Sequence, residues 1–108
     1  MHLAQLQNDH EVWVNDNFPG QQPWEPLLGL QEEVGELAHA HLKHHQGIRG
    51  MDDEAAAIAA KEDAVGDIVI YLASYCNAND LDLDKCVRRA WDEVSKRDWV
   101  KDPQKGGT

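Results

Sequence analysis

The chain has 108 residues, 42% of them hydrophobic, and a net charge of −10. That length and apolar content predict one folded domain and exclude global disorder. Such an acidic chain also excludes a nucleic-acid polymer as partner, because that backbone is bound by neutralising its phosphates with Lys and Arg. A free nucleotide stays open, since a divalent cation bridges carboxylates to phosphates.

The two cysteines, Cys76 and Cys86, lie ten apart. They make neither a CxxC pair nor a disulfide framework, so they read as reduced core residues of a cytoplasmic protein. The start, MHLAQLQNDHEVWV, lacks the pattern of a signal peptide. The longest low-charge stretch, Ala64–Ala78, is too short to span a membrane.

Residues 2–17 carry Leu3, Leu6, Val12 and Trp13 at loose helical spacing and predict a first helix. FPGQQPWEP, with three prolines and a glycine, predicts a loop over 18–26. A second helix follows over about 26–45, with Leu27, Leu30, Val34, Leu37, Ala38 and His41 on one stripe and Gly47 at its end. QGIRGMDD is a loop. A third helix spans 53–79, ended by Asn77–Asp80, and a fourth runs from Asp82 or Asp84 to about Arg97, with Leu83, Val87, Ala90, Trp91 and Val94 apolar. DPQKGGT is expected to fray. No alternating strand is found, so the expected fold is all-α: four antiparallel helices with short loops in a bundle.

Two segments carry chemistry. In QEEVGEL, Glu33 and Glu36 point about 60° apart on the second helix, and Glu33 borders the apolar stripe. The small residues Gly29 and Ala40 share the carboxylate side. In AVGDIVIYLASYC, thirteen residues hold one charge, Asp67. A helix apolar nearly all round is buried, so Asp67 is expected in the interior or at a cleft wall. There it must be paired, protonated or metal-bound. Asp63 lies one turn earlier. Gly66, costly by about 1 kcal/mol inside a helix, makes sense where something approaches the backbone closely. Pairing of Asp67 with an Arg or Lys is the structural alternative. The preferred expectation is that Glu33 and Glu36 face Asp63 and Asp67 around a hard cation, Mg²⁺ or Mn²⁺. His41 and His45 stand at a zinc-compatible spacing but lack a third ligand at motif spacing. WDEVSKRDW places Lys96 and Arg97 between tryptophans, either as a basic helix end or as a phosphate or base contact.

LQEEVGELAHA (30–40) and EDAVGDIVIYLASYCNANDLDL (62–83) together resemble the MazG-like all-α nucleoside triphosphate pyrophosphohydrolases. The resemblance covers about residues 24–99, with 1–108 as the domain and 100–108 as a flexible tail. It implies a homodimer or homotetramer, Mg²⁺ at the acidic cluster, and cleavage of an NTP or dNTP to a nucleoside monophosphate and pyrophosphate. By position it implies Glu33, Glu36 and Asp67 as metal ligands, to which the helix faces add Asp63, with Glu32 orienting or deprotonating the attacking water. Tyr71, Lys96, Arg97 and Trp24 are expected on the substrate side. The chain departs from the family's Glu-x-x-Asp in one place: Ala64 stands three residues before Asp67. That shifts the ligand set or lowers the number of ions. A non-catalytic helical module that binds a nucleotide or a partner is the alternative. A carboxylate-bridged di-iron bundle is disfavoured, because Glu36 with His39 forms its only Glu-x-x-His pair.

Overall fold

The computed structural model describes residues 1–107, and among these every regular element is an α-helix: α1 Leu3–Asn17, α2 Glu25–Gln46, α3 Glu54–Ala78 and α4 Leu83–Val94. Helix starts follow local capping chemistry. Asp53 Oδ1 accepts the Ala55 N–H at 3.0 Å and Asp82 Oδ1 accepts the Lys85 N–H at 3.1 Å. Caps of this type are worth about 1 kcal/mol. Pro26 sits in the first turn of α2, where its missing N–H costs nothing. Gly47 ends α2 in the left-handed region at φ 68°, with its N–H bonded to Lys43 O at 2.8 Å.

Helix α3 is the centre of the fold. α2 packs along it, α1 packs on it, and α4 touches α1 and the end of α3. Neither α1 nor α4 packs on α2, so the helices do not close into the four-sided bundle that the spacing suggests. α2 and α3 run antiparallel: Gly29 lies against Tyr71 at one end, and His44 binds Glu54 and Lys61 at the other. In that second contact Lys61 Nζ donates to His44 Nδ1 at 2.7 Å, so the ring is the neutral tautomer whose Nε2–H donates to Glu54 Oε1 at 2.8 Å. The buried side chains are small: Ala40, Ala57, Ala64 and Ala73, with Cys76 and Leu83 closing a cluster that Leu3 and Leu6 cover.

Several expectations are corrected. On α2, Leu27, Val34, Ala38 and His41 are exposed, and the side facing α3 is Pro26, Gly29, Leu30, Glu33, Leu37 and Ala40. On α3, Val65, Ile70 and Leu72 stay exposed, because only two sides of the helix are covered within the chain. Nothing approaches Gly66, which borders an open groove with Ile58 and Val65. Cys76 is buried but Cys86 is exposed, and the Cys76 thiol is pushed up by burial and by the neighbouring Cys86. After α4 the described residues, up to 107, are wound into turns; Thr108, the last residue of the stretch expected to fray, lies outside the described residues. Asp98 Oδ1 accepts the N–H groups of Val100 and Lys101, and Asp102 accepts those of Gln104, Lys105 and Gly107.

One side chain fastens α1 to the α3–α4 junction. Gln7 Nε2 donates to Leu81 O at 2.7 Å, its Oε1 accepts the Leu83 N–H at 2.9 Å, and its carbonyl accepts from Asn77 Nδ2 at 2.8 Å. Gln7→Ala removes the two side-chain bonds and leaves their backbone partners unmatched. It is expected to cost about 1–2 kcal/mol, read as a lower midpoint at unchanged m-value in urea unfolding.

Candidate functional site

Because α1 and α2 both rest on α3 without touching each other, a cleft remains between them. It has a volume of about 410 Å³. One end is acidic, with Glu33 from α2 and Asp67 from α3. The other end is aromatic, with Trp13 from α1 and Phe18 from the loop that follows. Tyr71 lies between them and is held by its contact with Gly29: a Cβ there would overlap the phenol ring. The small residue at position 29 is therefore what lets the Tyr71 ring reach the cleft beside α2.

The acidic end is electrostatically unrelieved. Glu33 is half-buried, and its Oε2 is buried with no hydrogen-bond partner. Burial pushes its pKa above the ordinary 4.5, the charges of Glu36 and Asp67 push it further, and the charge of Glu32 adds to this. The Tyr71 phenol is pushed up as well, first by burial, then by Glu33, Glu32, Asp67 and Glu36. No cation opposes them: apart from the His44–Glu54 contact, the charged pairs among the described residues are Arg88–Asp84 and Lys96–Asp92. The ion-pair alternative for Asp67 is thus not realised.

Glu32, Glu33, Glu36, Asp67 and Tyr71 form one interacting group. Asp63 is exposed and is not among the charges that act on Glu33 or Tyr71. Ala64 is buried in the fold. Trp24 is exposed at the start of α2 and does not line the cleft. Lys96 and Arg97 lie beyond the end of α4 and also stand outside the cleft. Lys96 pairs with Asp92 at 3.2 Å, and the Arg97 stem packs on Gly106.

The residues that fit a hard cation are those carboxylates, and the buried unpartnered oxygen of Glu33 is the observation that fits it best. As they stand, no three His, Cys, Asp or Glu side chains among the described residues are gathered tightly enough to enclose an ion. His41 and His45 line an open apolar groove on the outer side of α2.

The aromatic end was not anticipated. His10, Trp13, Phe18, Gln21 and Ser74 come from α1, a loop and the far part of α3. The sequence signals for it are weak: His10 and Trp13 one turn apart, and a lone serine in the apolar stretch of α3 after Asp67. Compared with known proteins, the chain matches no family model, no curated protein and no solved structure.

A pH dependence follows from Glu33. Its pKa is raised on folding, so between 4.5 and the raised value the folded chain holds more protons than the unfolded one. The contribution of Glu33 to stability is then highest below this window and falls as pH rises through it. Asp67→Asn removes one of the charges responsible. In EDTA it is expected to raise the melting temperature at neutral pH and flatten this slope; an unchanged slope in a folded variant would show that Asp67 does not act on Glu33.

Proposed function

We propose that this chain is a Mg²⁺-dependent nucleoside triphosphate pyrophosphohydrolase of the MazG-like all-α kind. The observation that carries the reading is the cleft itself: unneutralised carboxylates at one end, aromatic rings at the other, and a half-buried phenol between. A nucleoside triphosphate has the matching polarity. Its planar base suits the rings, and its phosphates suit carboxylates that carry a divalent cation.

In this reading Glu33, Glu36 and Asp67 hold the cation, with Asp63 as an outer contributor if it turns inward. Mn²⁺ is the chemical alternative to Mg²⁺. Bound there, the ion supplies charge neutralisation of the triphosphate, polarisation of the α-phosphorus and a more acidic water. Glu32, exposed next to Glu33, takes the water proton on its carboxylate. The Tyr71 phenol keeps its proton and donates a hydrogen bond to the substrate, because burial and the four carboxylates all disfavour its anion.

The reading includes a homodimer or homotetramer, and the surface supports it. The chain exposes 8014 Å², against roughly 6,000 Å² for a compact monomer of this size. Its radius of gyration is 17.4 Å, against about 13 Å. The excess of about 2,000 Å² is on the scale of an obligate interface. Its apolar part includes Val34 and Leu42 on α2, Ile58 and Val65 on α3, and Val87 and Trp91 on α4.

No helix is long and apolar enough to cross a membrane. A cytoplasmic location belongs to the proposal.

Pyrophosphate release from the common NTPs and dNTPs with Mg²⁺ tests the reaction. Glu36→Gln is expected to lower kcat at least a hundredfold with the helical circular-dichroism spectrum unchanged. Full activity in that variant would remove Glu36 from the site. No release from any nucleotide by the folded wild type would favour the non-catalytic module, in keeping with Ala64. Light scattering tests the assembly: the wild type is expected at two or four times the chain mass, and Val65→Asp is expected to shift it toward monomer. A monomeric wild type would overturn the oligomer.

A further inference from the structure

The aromatic end of the cleft carries polar groups that hydrolysis leaves unused. His10 Nε2 is buried there with no hydrogen-bond partner. Ser74 Oγ donates to Gln21 Oε1 at 3.3 Å, which leaves both amide hydrogens of Gln21 free to donate. Trp13 stacks on His10 with ring centroids 5.7 Å apart and planes at 28°, and it meets Phe18 edge-on, also at 5.7 Å. Burial lowers the His10 pKa from its ordinary 6.5, so the imidazole is neutral at pH 7. It then presents either an N–H or a lone pair at Nε2, according to tautomer.

These groups narrow the ligand. A purely apolar molecule would leave His10 Nε2 and the Gln21 amide unmatched in a desolvated site, which is unfavourable. An organic cation would suit the rings and the carboxylates, but it offers Gln21 no acceptor and leaves His10 idle. An uncharged planar ring with an acceptor beside a second hydrogen-bonding atom on one edge satisfies both residues while it stacks. Nucleobases have that edge.

We infer that His10 and Gln21 read the hydrogen-bonding edge of a neutral nucleobase held against Trp13 and Phe18, and so determine which nucleotide the cleft accepts. The inference rests on the nucleotide reading of the cleft but not on the hydrolytic step.

The test is a ligand-observed NMR titration of the full chain in EDTA with uridine, thymidine, cytidine, adenosine, guanosine and ribose 5-phosphate. One base class is expected to bind about tenfold or more tightly than the rest, with ribose 5-phosphate silent. His10→Ala and Gln21→Ala are each expected to weaken that nucleoside about tenfold and compress the ranking. His10→Gln, which keeps a hydrogen-bonding group, is expected to recover part of it. Three outcomes overturn the inference: no nucleoside binds the wild type, folded variants rank the nucleosides as the wild type does, or tetramethylammonium binds in their place. The two readings fail separately. Pyrophosphate release without base ranking removes the base reader and leaves the hydrolase, whereas selective nucleoside binding without pyrophosphate release does the reverse.

Discussion

The close passage of α2 over α3 sets the rest of this molecule. Small residues line it: Gly29 under the Tyr71 ring, and Ala40, Ala57 and Ala64 buried in the fold. Large side chains at those positions would push the helices apart. With the helices this near, Glu33 Oε2 is buried without a hydrogen-bond partner, and the charge of Asp67 acts on the group. The carboxylate repulsion is a consequence of the packing, and the packing is tolerated because alanine and glycine make it tight.

A cluster of like charges beside a tight helix contact does not serve stability. Acids that raise the proton affinity of Glu33 oppose folding at neutral pH, and a basic residue in reach would relieve them at little cost. Lys61, six residues before Asp67 on α3, is instead committed to His44. That bond ties it to the opposite end of the α2–α3 pair. Sites that retain such strain are where function is to be sought. The cleft adds shape to charge, since the same acids open onto aromatic walls that a purely structural defect would not require.

Much of this was legible in the residues. The four helices fall close to the limits that periodicity and caps indicate, because Asp53, Asp82, Pro26 and Gly47 act locally and do not depend on the fold. Glu33, Glu36 and Asp67 were legible as a group because an acid inside an apolar helix demands a partner. The direction in which α2 faces was not legible. Its stripe from Leu27 through Val34 to His41 is apolar, but periodicity reports only that a face is apolar and not which neighbour covers it. The side turned to α3 carries Glu33 in its middle. The aromatic end was hidden for a different reason. His10, Gln21 and Ser74 are far apart in the chain, and only the tertiary fold brings them to one wall.

The orientation of α2 links the site to association. At 100° per residue, the stripe through Val34 is centred about 100° round from the line of contact with α3, and Glu36 lies about 80° to the other side. The stripe of Ile58, Val65 and Leu72 on α3 is offset in the same sense. Because the two helices are antiparallel, equal offsets of one sense fall on one side of the pair. The pair therefore has an acidic side that faces the cleft under α1 and an apolar side that faces away from it. Turning α2 to hide its leucines against α3 would take Glu33 out of the cleft. The placement of Glu33 beside Asp67 and the exposure of Val34 and Leu42 are thus one structural choice. A second copy on the apolar side would stabilise that choice without covering the cleft.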